Sequence, residues 1–247
     1  MRNSLLTFFV PIFNTATTYG LVLQRLAGFA FWETYIITFF LRDIPQIGAA
    51  FRLAESYGRL GTTIGAFPHS DAFNISGLVI ALAVALLTRA MRLHDRISDV
   101  LGIRKRFDQK HILFPLATLV GQPLTAIQRE TVIAKQHELM RDLFYRYASS
   151  RSDTPLVDKH EIENALDSWS WFWVCTEAVV FFAVAGVIAH LFHAHTLGVR
   201  LLIVGAIFIS LAVMQYPRLA RYANIEISAI ATDSTAARDV RARLNAL

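Results

Sequence analysis

The stretch WSWFWVCTEAVVFFAVAGVIAHLFHAHTLGVRLLIVGAIFISLAVMQYP, residues 169–217, decides the fold. It holds two apolar runs, Trp169 to Leu191 and Leu197 to Tyr216, parted only by Phe192-His193-Ala194-His195-Thr196. A helix rises about 1.5 Å per residue and the hydrocarbon of a bilayer is about 30 Å thick, so either run suffices for one crossing. Lipid offers backbone groups no hydrogen bonds, whereas a helix satisfies its own. The stretch therefore reads as a transmembrane helical hairpin.

The rest of the chain leans the same way. Of its 247 residues 54% are hydrophobic and 17% charged, with a mean hydropathy of +0.42. Soluble domains run near 45–50% apolar and about 25% charged, so the composition points to an all-α, polytopic integral membrane protein. Thirteen of the 24 Lys and Arg residues lie between Arg89 and Lys159, and five more follow Pro217. Short loops rich in these residues stay on the cytoplasmic side. Arg218 and Arg221 thus set the end of the hairpin inside and the His193 turn outside, with both termini cytoplasmic at the plasma (inner) membrane. The net charge of +5 lies beside apolar spans. That placement makes anionic lipid headgroups a better partner than nucleic acid. Cys175 is the sole cysteine, which excludes an intramolecular disulfide.

Four spans are expected, near Ser4 to Leu23, Phe73 to Met91, Trp169 to Leu191 and Leu197 to Tyr216. A signal peptide competes for the first, but Pro11 interrupts its apolar core and no Ala-x-Ala cleavage site follows. Leu26 to Leu41 carries Glu33 beside Trp32 and Tyr35, a composition suited to the headgroup boundary, with a further span as the alternative. The organisation is then an N-terminal membrane region over 1–91, a cytoplasmic helical segment over 92–168, the hairpin over 169–217 and a cytoplasmic tail over 218–247. Gly77, Ala81 and Ala85 recur every four residues, a small face on which another helix can approach. Gly102 should stop the helix that continues from this span. Thr125 and Gln128 have the spacing of a capping box. Pro155 suits the first position of a helix that runs unbroken into the hairpin. After Pro217 the tail holds one last short helix, with Ala236, Val240 and Leu244 on one side.

Glu177 is the most informative single residue, because an ionisable group within a span is costly and marks function by default. Arg89 ends the Gly77, Ala81, Ala85 row at the same step, so an intramembrane Glu177–Arg89 pair is expected, as an ion relay, a switch or a plain structural pair. His190, His193 and His195 on the outer turn are weak metal candidates, since no carboxylate or thiol completes their set. His94, Asp95, Asp99, Asp108 and His111 form a second polar group. Its plain reading is a solvated helix laced with ion pairs, and its sharper one a hydrolytic site. Arg104-Lys105-Arg106 suits a lipid or ligand phosphate, with Phe107 free to stack on a base if the ligand is a nucleotide. The zinc-protease pattern fails at both His137-Glu138 and His160-Glu161, and no nucleophile elbow, phosphate-binding loop or dinucleotide fingerprint occurs. No motif calls for a cofactor.

Three function classes follow, in this order: an interaction or signalling module whose cytoplasmic helices couple a partner or ligand to the spans; an oligomeric channel or transporter subunit using Glu177; and a membrane enzyme with a His/Asp site at the inner face. A homo-oligomer or a protein partner is expected in any of them.

Overall fold

The computed structural model describes residues 14–61, 75–149 and 155–247, and for 55–61 and 75 the backbone alone. Every regular element among them is helical. In chain order these are α1 (Tyr19–Leu41), α2 (Pro45–Gly61), α3 (Ile75–Met91), α4 (Leu93–Leu101), α5 (Ile103–Phe107), a π-helical turn (Asp108–Leu113) and α6 (Phe114–Leu119). There follow α7 (Ala126–Ala134), α8 (Gln136–Leu139), a second π-helical turn (Met140–Tyr145), α9 (Lys159–Leu191), α10 (His195–Thr232) and α11 (Ser234–Asn245). The described residues fall into two compact units. Leu23–Leu93 and Phe172–Val213 make the first; Asn14–Val22, His94–Trp171 and Met214–Leu247 make the second.

In the first unit α9 is the central element. Its Ala178, Phe182, Ala185 and Ala189 are buried against Ile37 and Leu41 of α1, Ile44 just beyond it, and Leu201 of α10. Phe31 of α1 packs on Ala81 and Ala85 of α3, with Gly77 buried on the same row, so the small-residue face is used. Ile44 precedes Pro45, which opens α2 where its missing N–H costs nothing. The turn is so tight that a Cβ on Gly48 would run into the Arg42 carbonyl. Across the hairpin, a Cβ on Gly198 would stand 3.0 Å from the Gly186 carbonyl oxygen, and one on Gly186 2.9 Å from Leu202. The two glycines let the backbones of α9 and α10 touch.

This unit has inverted polarity. Arg25, Glu33, Thr34 and Thr38 of α1 are buried, while Trp32, Ile36, Phe39 and Phe40 on its other face are exposed. α10 likewise exposes Val199, Leu202, Ile203, Ile207 and Val213. A water-soluble helix does the reverse. Among the described residues two helices, α9 and α10, are long and apolar enough to cross a membrane, or three if α3 and α4 serve as one broken span. Four were expected. The first of those, from Ser4, lies mostly outside the described residues, and its end, Tyr19 to Leu23, forms the start of α1.

The second unit is built from α4 to α8, the start of α9, the end of α10 and α11. The Thr125–Gln128 capping box opens α7 as expected. Phe107 is fully enclosed, with ring centroids of Trp169 at 4.7 Å, His111 at 4.9 Å and Tyr216 at 5.8 Å. Asp233 caps α11, whose Ala236, Val240 and Leu244 are buried. Its charged side is tied down by Arg241 Nε, which donates to the Val120 carbonyl at 2.9 Å, and by Arg146 and the Tyr147 hydroxyl, which donate to Asp239.

Three boundaries differ from the sequence expectation. α9 begins at Lys159, after Asp158, whose carboxylate accepts the His160 N–H at 2.8 Å, and not at Pro155. The helix after Met91 is interrupted at Arg92, in the left-handed region at φ 48°, before Gly102 (φ 64°) ends α4. α10 continues through Pro217 to Thr232. Proline inside a helix costs about 3 kcal/mol. Here Leu219, Ala223, Ile227 and Ile230 keep helical spacing beyond it and are buried, and their burial outweighs that cost.

Gly198→Val should force the hairpin apart and lower the thermal unfolding midpoint by an amount equivalent to about 1–3 kcal/mol of overpacking. Val199→Ala, at an exposed neighbour, should leave the midpoint within about 0.5 kcal/mol of the parent. Both are read by thermal unfolding of the purified full chain.

Candidate functional site

Two groups of polar residues stand out, one in each unit. In the first, Glu33 and Glu177 are 6% and 2% exposed. The packing of Ile37 and Leu41 on Ala178, Phe182 and Ala185 sets α1 beside α9, and Glu33 lies one turn before Ile37, Glu177 one residue before Ala178. Neither oxygen of Glu33 has a hydrogen-bond partner among the described residues. Burying a carboxylate in this way costs several kcal/mol, a cost kept where function needs it.

The expected Glu177–Arg89 pair is not formed. Arg89 is exposed at the end of α3 and enters no ion pair among the described residues. The reason is helical drift: each four-residue step turns about 40° beyond a full circle, so three steps from Gly77 carry Arg89 off the buried face. Thr88, 5% exposed, takes the inward place. Glu33 was read as a boundary residue from its aromatic neighbours; its four-residue spacing to Ile37 and Leu41 was the signal that places it inside.

At the α9–α10 turn, His190 Nδ1 and His195 Nδ1 are 3.0 Å apart, so one ring donates to the other. His193, at φ 61°, has its ring 6.0 Å from that of His195. Among the described residues no three His, Cys, Asp or Glu side chains gather as a metal would require.

In the second unit the polar core centres on Gln136, 5% exposed. Its Nε2 donates to Asp108 Oδ2 at 3.2 Å and to the Lys105 carbonyl at 3.1 Å, while its Oε1 accepts from Gln109 Nε2 at 2.8 Å. Asp108 opens one π-helical turn and Gln136 stands just before the other. Such turns are rare and recur at functional sites. Burial pushes the Asp108 carboxyl up to about 6, against the Gln136 hydrogen bond and the nearby Arg104 charge, which pull it down. Nothing in the sequence motifs pointed to Gln136.

The five residues read as one polar group are only partly brought together. His94 and Asp95 meet, with His94 Nε2 3.4 Å from Asp95 and the Tyr19 hydroxyl 3.0 Å from His94 Nε2 and donating to Asp95 at 3.3 Å; Asp95 also pairs with Arg104 at 3.3 Å, and His111 Nε2 lies apart, 3.1 Å from the Tyr216 hydroxyl. Asp99 lines a cavity of about 350 Å³ together with Val100, Leu101, Gly102, Lys105, Arg106 and Gln109. The basic triplet is split: Arg104 turns to Asp95, and Lys105 and Arg106 face the cavity without an ion pair among the described residues. Phe107 is enclosed in the aromatic core and unavailable to stack on a base.

The chain belongs to the YmfE protein family, which it matches over residues 18–245. No curated protein and no solved structure matches it. The matched span takes in every described helix, α1 to α11.

The raised Asp108 carboxyl fixes a pH dependence. The folded state holds this proton more tightly than the unfolded chain, whose aspartate titrates near 4, so stability is highest below about pH 4 and falls as pH rises to about 6. Asp108→Asn keeps an acceptor for Gln136 and should remove that slope, leaving the variant more stable than the parent at pH 7 by up to about 3 kcal/mol. Chemical unfolding of the two proteins at pH 4 and pH 7 measures the difference.

Proposed function

We propose that this protein is a membrane-embedded signalling or interaction module, in which the second unit receives a partner or ligand and helices α9 and α10 carry the change into the first unit. The observation that supports it most is continuity. α9 and α10 are 33 and 38 residues long, and each contributes residues to both units without a break. A helix transmits a shift or rotation along its length because its backbone bonds resist local yielding, and shifts of about 1–2 Å at packed helices are a common switching device. In this reading the second unit and the C-terminal helix lie on the cytoplasmic side, where the Lys and Arg residues concentrate. The exposed apolar faces of α1 and α10 meet lipid or a second copy of the chain.

Spin labels at Val184 and Val213, both exposed in the first unit, report the spacing of α9 and α10. Gln136→Leu removes the three hydrogen bonds at the centre of the second unit. The label distance in the full chain should then shift by about 1–2 Å. An unchanged distance, with hydrogen exchange showing that the second unit is disturbed, would overturn the proposal.

A second reading, an oligomeric channel or transporter subunit, is favoured by one feature: the buried Glu33 carboxylate with Glu177 beside it. Proteoliposomes of the full chain would then pass protons or monovalent cations, and Glu33→Gln and Glu177→Gln would each abolish the flux. Absence of flux in the parent removes this reading.

A further inference from the structure

We propose that the cavity beside Lys105 and Arg106 binds the headgroup of an anionic glycerophospholipid that carries one phosphate and a free hydroxyl, of the phosphatidylglycerol kind, with Val100 and Leu101 against its acyl chains. This names the ligand of the second unit and rests on the coupling reading only for what binding does to the helices.

The cations are held ready. Arg104 is committed to Asp95, and its N–H donates to Ser98 Oγ at 3.2 Å, which closes the α4–α5 corner. Lys105 and Arg106 project from the same short helix with no acidic partner among the described residues. Their backbone is anchored from below, since the Lys105 carbonyl accepts from buried Gln136, and Gln136 in turn fixes Gln109 at the cavity wall. Two unneutralised cations on a fixed platform suit a phosphate.

The walls narrow the choice. A cavity of about 350 Å³ admits a phosphate with a small polar group. Asp99, on the same wall, would repel a second phosphate and accept a hydrogen bond from a hydroxyl. Val100 and Leu101 are 85% and 54% exposed at the rim, an apolar pair beside cations, as at a bilayer interface. A nucleotide fits less well because Phe107, the ring that follows the triplet in sequence, is 1% exposed and already packed on Trp169.

The full chain in neutral detergent is offered phosphatidylglycerol or phosphatidylcholine, and bound lipid is counted by native mass spectrometry. The parent should retain phosphatidylglycerol preferentially. Lys105→Gln and Arg106→Gln should each weaken that binding about fivefold, the equivalent of about 1 kcal/mol per charge, and the double variant about 25-fold. Lys135→Gln, at an exposed cation that does not line the cavity, should not, and thermal unfolding confirms that each variant is folded. Equal retention of the two lipids, or full retention by the folded double variant, overturns the proposal. So does binding of inorganic phosphate or ATP as tight as that of the lipid, which would assign the cavity to a soluble anion. If phosphatidylglycerol binds as expected and the Val184–Val213 label distance does not move, the lipid site stands and the coupling reading fails.

Discussion

Charge turned inward and hydrocarbon turned outward is the constraint on which the first unit depends. Arg25, Glu33 and Glu177 are enclosed, while Trp32, Phe39 and Phe40 of α1 and Leu202, Ile203 and Ile207 of α10 face out. In water this arrangement would lose the hydrophobic effect on one side and the solvation of charge on the other. In an apolar surrounding the outward hydrocarbon costs nothing and the inward charges are kept from lipid, which is why the unit suits a membrane. With no water to squeeze out between helices, close contact has to come from small residues. Gly186 and Gly198 across the hairpin, and Ala81 and Ala85 beneath Phe31, supply it.

The second unit solves a different problem. Its helices are short, two of them π-helical, and their ends leave backbone groups that need partners. Side chains provide these: Gln136 serves the Lys105 carbonyl, Arg241 the Val120 carbonyl and Ser98 the Arg104 N–H. The result is a scaffold of irregular turns pinned by single hydrogen bonds, which holds the basic triplet of α5 in a fixed pose. A site built on such supports responds to the loss of one of them, because each ties a backbone group of one segment to a side chain of another.

α9 and α10 belong to both problems. Each presents an apolar surface to the first unit and continues into the second, where Ile162 and Ala165 of α9 and Leu219, Ala223, Ile227 and Ile230 of α10 are buried. Pro217 does not end α10, since the residues beyond it have a core to enter. Membership of the YmfE family over residues 18–245 covers both halves of this arrangement.

The sequence by itself determined the helical class, the hairpin around Phe192 to Thr196, the small-residue row of α3, the Thr125 cap and the buried face of α11, because each is written in composition or spacing within one element. Tertiary structure decided which charges meet. A four-residue row looks straight in sequence but winds about 40° per step, so Arg89 left the buried row of α3, while Glu33, on another helix, is enclosed. Gln136 had no motif to announce it, and Phe107 lost its free ring to Trp169 and His111. Partners brought together from distant segments are set by how faces dock, and docking depends on the angles accumulated along each helix more than on any residue taken alone.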